Sequence, residues 1–136
     1  FLRPLKDPEN DRFEGRHFFT TGISGSAVIP ELGLTEQDYL IPKLRWSAFF
    51  QTKLELSLRS RGIDTLVISG GALEVGVVST CYSARDLDFN LVLARDACLA
   101  LEPSAGELMM DHLFPRFARI RSTEQVLGMI RSGAKM

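Results

Sequence analysis

Cysteine, tryptophan, histidine and net charge are all scarce in this chain of 136 residues. Its two cysteines, Cys81 and Cys98, are too few for a disulfide framework, and neither has a His or Cys neighbour at metal-ligand spacing. Both are expected to be reduced and buried, as free cysteines usually are. The two histidines, His17 and His112, lie far apart and form no metal set, so no metal or other cofactor is implied. Sixteen Lys plus Arg against 17 Asp plus Glu leave a formal charge of −1 with no basic stripe, which gives nucleic acid no footprint. No apolar run approaches the roughly 18 residues of a membrane span, and the start lacks a signal peptide's charged-then-apolar order. The expectation is no membrane and a cytoplasmic setting. With 11 Gly and 6 Pro the chain is neither collagen-like nor of low complexity.

What is present is apolar content. Hydrophobic residues make up 45% of the chain, and at this length roughly two thirds of the unfolded surface can be buried. Residues 1–136 are therefore read as a single domain. The first residue is Phe1 rather than Met, so a fragment or a processed product is expected.

Residues 1–35 read mostly as loop. Pro4, Pro8, Gly15, Gly22, Gly25 and Gly33, with the run Asp7-Pro8-Glu9-Asn10-Asp11, leave no room for a long element. From residue 38 short apolar runs alternate with helical stretches. Tyr39-Leu40-Ile41 is a short strand candidate, and Ser47 stands as N-cap of a helix carrying Phe50, Leu54 and Leu58 to Gly62. Thr65 to Ser69 reads as a strand buried on both faces, closed by Gly70-Gly71. A helix over about Leu73 to Asp86, a strand over Asn90 to Ala94 and a helix opened by Pro103 and stopped by Pro115 follow. Phe117 to Ile120 forms a last short strand, and Ser122 with Gln125 makes a capping box for a helix over Thr123 to Ile130. This alternation implies right-handed crossovers, hence an α/β fold of three α/β/α layers with a mainly parallel central sheet.

In such sheets chemistry gathers beyond the carboxyl ends of the strands. Three places qualify: Lys43, the turn from Gly70 to Gly76, and Arg95-Asp96. Lys43 with Arg45 and Trp46 offers two cations and a flat aromatic surface, which suits a small anionic substrate. They are equally readable as solvated surface charges. The turn Gly70-Gly71-Ala72-Leu73-Glu74-Val75-Gly76 fits neither dinucleotide-binding nor P-loop spacing. It suits an anion cradle at a helix start, or else close strand-to-helix packing. Cys81, two turns into the helix, is expected to be inert; Met109 and Met110 read as core, and Ser47, Ser69 and Ser79 lack a local base.

Several segments together carry a resemblance that runs from about Gly25 to Ile130. They are Ile29-Pro30-Glu31-Leu32, Lys43-Leu44-Arg45-Trp46-Ser47-Ala48-Phe49, Leu54 to Leu58, Arg61 to Gly70, Val75-Gly76-Val77 with Ser79-Thr80, Asp96-Ala97-Cys98 and Phe114-Pro115-Arg116. The chain resembles the isochorismatase-like hydrolases, whose fold is Rossmann-like. The resemblance implies that Lys43 is an active-site lysine. It also implies a cis peptide bond between Gly71 and Ala72, with the N–H groups of Ala72 and Gly76 forming an oxyanion hole. Gly71, Ala72, Leu73, Val75, Arg45 and Trp46 become expected substrate contacts.

Two departures accompany it. The amidohydrolase branch carries a nucleophilic cysteine where this chain has Gly76, which resembles instead the true isochorismatases, hydrolases of a vinyl ether. The family's acid/base Asp, at the end of its first strand, has no counterpart here, and the N-terminal strands are expected to be absent. A non-thiol hydrolase and a catalytically inactive binding or interaction relative are both consistent with these features. A homo-oligomer is expected, because a sheet without its first strands would expose an apolar edge.

Overall fold

The structure is a computed structural model, and the residues it describes are 28–133. His17 and most of the expected opening loop lie outside the described residues. The chain divides into two compact units, Phe1–Leu40 and Ile41–Met136. Among the described residues of the first, a 3-10 turn, Pro30–Leu32, is closed by Gly33 at φ +57°, whose N–H donates to the Pro30 carbonyl. Asp38 then accepts from both the N–H and the hydroxyl of Thr35, at 2.7 and 2.9 Å. Those two bonds hold the Asp38 carboxyl below its usual pKa.

The second unit is built on three parallel strands in the order β1-β2-β3: β1 Thr65–Gly71, β2 Asn90–Leu99 and β3 Arg119–Arg121. Among the described residues four α-helices accompany them: α1 Leu54–Arg59, α2 Val78–Asp86, α3 Pro103–Leu108 and α4 Thr123–Ser132. A π-helical turn, Leu73–Val77, leads into α2, and another, Met109–Leu113, extends α3. Leu73, Val77, Cys81 and Ala84 recur at helical spacing and make one stripe. That stripe packs on Phe89, Leu91 and Leu93, which alternate along one face of β2, together with Met110 and Phe114. Val92 and Ala94 point to the opposite face, where α4 contributes buried Val126. Helices on both faces of a parallel sheet give the three-layer α/β/α arrangement.

The structure departs from the sequence expectations in four places. Tyr39-Leu40-Ile41 is not a strand; the boundary between the two units falls inside it. The helix expected from Ser47 begins only at Leu54, because Gln51 takes a positive φ of +54° and the Thr52 hydroxyl accepts the Leu54 N–H. Strand β1 is not buried on both faces: Val67 is 40% exposed, since β1 has one strand neighbour among the described residues. It is β2, flanked on both sides, that buries four consecutive residues, Leu91 to Ala94. Finally, Cys98 is only half buried, whereas Cys81 is fully buried as expected, and both thiols are free.

Candidate active site

The carboxyl end of β1 is where the chain turns most sharply. Gly70 adopts φ +120°, which side chains rarely tolerate, and the peptide bond between Gly71 and Ala72 is cis, as the resemblance implies. Opposite, β2 slips by three residues: Ile68 pairs with Leu93 but Gly70 with Cys98. The intervening Ala94 to Ala97 bulge away from β1. Next, the N–H groups of Val75, Gly76 and Val77 converge on the Ala72 carbonyl at 3.2, 3.0 and 3.2 Å. The Gly76 N–H, which the resemblance implies for an oxyanion hole, thus shares the Ala72 carbonyl with its two neighbours inside the turn.

Lys43 stands over this turn. Its Nζ donates to the carbonyls of Arg45 and Trp46 at 3.2 and 3.3 Å. An ammonium has three N–H donors, so two carbonyls leave one for an anionic group. A Cβ placed on Gly76 would lie 3.8 Å from Lys43 Nζ and 3.7 Å from the Trp46 carbonyl oxygen. Lys43 and Gly76, predicted separately from sequence, are thus brought together. Trp46, whose carbonyl lies beside them, is 66% exposed, while Arg45 folds back to donate to the Leu44 carbonyl at 2.8 Å.

Other expected contacts are placed differently. Leu73 is 2% exposed and its side chain belongs to the core. Ala72 and Val75 are partly exposed and Gly71 is exposed, its Cα side only 3.3 Å from Leu99 for any added Cβ. Arg95 pairs with Asp111 at 2.6 Å. Asp96 accepts the N–H and hydroxyl of Thr123 at 2.7 and 2.9 Å, which lower its carboxyl below the usual range. Both residues of that pair therefore tie down neighbouring helices. His112 is exposed on the turn after α3. Among the described residues no group of three or more His, Cys, Asp or Glu is placed to hold a metal.

Burial, reinforced by nearby Cys98, pushes the Cys81 thiol up to about 12, so it is inert at neutral pH. Burial also raises the Cys98 thiol, although the Gly70 backbone partly opposes it.

Three residues without an assigned role emerge around the turn. Glu74 accepts the N–H groups of Leu101 and Glu102 at 3.0 and 2.9 Å and so fastens the turn to the segment before α3. Desolvation raises its carboxyl, but those N–H groups prevail and hold it low. Thr80 and Ser83, on α2, hydrogen-bond the loop that carries Lys43: the Ala48 N–H donates to Thr80 Oγ1 at 3.0 Å and Ser47 Oγ to Ser83 Oγ at 2.8 Å. The only sequence signal was position, because Thr80 and Ser83 follow Gly76 by one and two helical turns.

Comparison with known proteins shows the family to which the chain is similar. Residues 3–125 match the family model described as the Isochorismatase domain. The uncharacterized isochorismatase family protein YecD of Escherichia coli is 44% identical over 115 residues, covering 79% of this chain and 61% of that protein. A phenazine biosynthesis protein of Pseudomonas aeruginosa is 31% identical over 129 residues, covering 92% of this chain and 62% of its own. Among solved structures, an isochorismatase family protein from Burkholderia thailandensis superposes with a TM-score of 0.75 at 31% identity, covering 78% of this chain and 56% of that one. The chain thus spans about three fifths of the length of these relatives.

Proposed function

Because the chain belongs to the isochorismatase domain family, we propose that it serves a hydrolase that works without a thiol nucleophile on a small anionic substrate. The space at Gly76 carries this reading. Lys43 Nζ lies 3.8 Å from where a side chain would begin there, and glycine offers no attacking atom. Neither thiol replaces it, since Cys81 is buried with its pKa at about 12 and Cys98 sits on β2.

In this reading the Lys43 ammonium holds the substrate's anionic group, Trp46 offers a flat apolar surface, and water enters above Gly76 to cleave a vinyl ether or a related bond. Protonation falls to an acid with no counterpart at the matching position of this sequence. General acid catalysis contributes about 10² to 10⁴ in rate, so substantial turnover is expected only where that acid is supplied.

The test is an assay against isochorismate and a panel of small amides, with and without any residues preceding Phe1. Hydrolysis of isochorismate without amide cleavage is expected, and Lys43→Met should lower kcat/KM by about 10² to 10³, as loss of one well-placed electrostatic donor does. Amide turnover would contradict the reading of Gly76. Full turnover by the 136 residues alone would contradict the need for a further acid.

A further inference from the structure

Lys43 sits in a stretch, residues 43–49, that belongs to no helix or strand. A lysine ammonium on a four-carbon stem has no fixed place of its own. Its position over Gly76 is set by the two carbonyls it binds, those of Arg45 and Trp46. What then holds those carbonyls is the next part of the loop. The Ala48 N–H donates to Thr80 Oγ1 at 3.0 Å, and Ser47 Oγ donates to Ser83 Oγ at 2.8 Å. Thr80 Oγ1 itself donates to the Gly76 carbonyl at 2.7 Å.

A threonine inside a helix commonly bonds the carbonyl four residues back, and that bond alone signifies nothing. Here the same oxygen also accepts from a backbone 32 residues away in sequence. One hydroxyl therefore joins the lysine loop to the residue whose missing side chain defines the site, using its donor and an acceptor lone pair together. Ser47, 9% exposed, forms the second tether.

We propose that Thr80 is a positioning residue, its hydroxyl fixing the Lys43 loop over Gly76, with the Ser47–Ser83 hydrogen bond as an auxiliary tether. The proposal rests on reading Lys43 and Gly76 as the site.

A reporter thiol tests it without requiring turnover. In Gly76→Cys the new Cβ meets only ordinary van der Waals contacts, at 3.7 and 3.8 Å. The pH dependence of iodoacetamide alkylation at position 76 is followed by peptide mass spectrometry, which separates it from Cys98, while Cys81 stays silent with its pKa at about 12. In that background Lys43→Met is expected to raise the pKa of the introduced thiol by about one unit, roughly a tenfold loss of thiolate at pH 7. Thr80→Val, nearly isosteric, should produce at least half of that shift, and Thr80→Ser should restore the parent profile.

An unchanged profile in Thr80→Val, with Lys43→Met shifted, overturns the positioning role alone. An unchanged profile in Lys43→Met overturns the pairing of Lys43 with Gly76, and the positioning role with it. Circular dichroism monitors folding of each variant. Should Thr80→Val not fold, Ser83→Ala decides instead: a smaller shift in the same direction supports the tether, and none overturns it.

Discussion

Gly76 and Gly106 both have ordinary negative φ, yet they differ in what a side chain would meet. At Gly76 an added Cβ finds neighbours no closer than 3.7 Å, whereas at Gly106 it would lie 2.6 Å from Ala100 Cβ. Ala100 has no flexible end to swing away, so the backbone itself must shift. Gly106→Ala should therefore lose about 1 to 3 kcal/mol of stability by overpacking, despite alanine's better helix propensity. Gly76→Ala should change it by under about 1 kcal/mol. Urea denaturation of the two variants checks both values. Lys43, the cis bond between Gly71 and Ala72, and Gly76 were singled out because the short segments that carry them resemble those of the family. Thr80, Ser83 and Glu74 were not, since their partners at positions 48, 47 and 101–102 lie 27 to 36 residues away and only folding brings them together. Leu73 carries two local signals at once. Its place in the turn suggested substrate contact, but the spacing from Leu73 through Val77 and Cys81 to Ala84 directs it into the core.

Helices in this protein are legible from sequence where their ends are chemically marked. For α4, Ser122 accepts from Gln125 N at 3.2 Å, Gln125 Oε1 accepts from Ser122 N at 2.9 Å, and Gly133 closes the other end at φ +64°. Ser122→Ala should cost about 1 kcal/mol, read as a lowered denaturation midpoint. Where the end is set by a conformation rather than a residue type, sequence fails: nothing about Gln51 announces its positive φ, so α1 was expected six residues too early. Asp96 adds a pH dependence to the same helix start. Its native carboxyl titrates below the usual value because Thr123 donates to the charged form. The stability it contributes is thus present above the unfolded carboxylate pKa and is lost as pH falls through the lowered native one. Asp96→Asn should flatten the acid limb of the stability profile while the Ser122→Ala variant keeps it.

For the molecule as a whole, the sheet has an unequal pair of sides. Among the described residues β1 pairs only with β2, and Val67 on its surface is 40% exposed. An edge strand of this kind invites pairing with another chain. We expect the 136-residue protein to associate with rising concentration in sedimentation velocity, and a monomer unchanged across the concentration range would contradict this. The alternation of strands and helices, and hence the α/β class, was legible because periodicity is a property of the local chain. An exposed apolar edge was expected from the resemblance, but the run Thr65 to Ser69 by itself read as buried on both faces, because an apolar β-branched run looks alike in the middle of a sheet and at its rim.

The slip in β2 has a consequence in time as well as in space. Val92 to Ala94 pair with β3, and Val92 and Leu93 with β1 as well, whereas Ala94 to Ala97 have left the β1 ladder. Amide hydrogens of one continuous strand should therefore exchange with deuterium in two regimes: slowly over Leu91 to Leu93, through global opening, and rapidly over Arg95 to Ala97, which neither ladder holds, through local fluctuation. Such a strand lets the mouth of the sheet breathe while its floor stays shut.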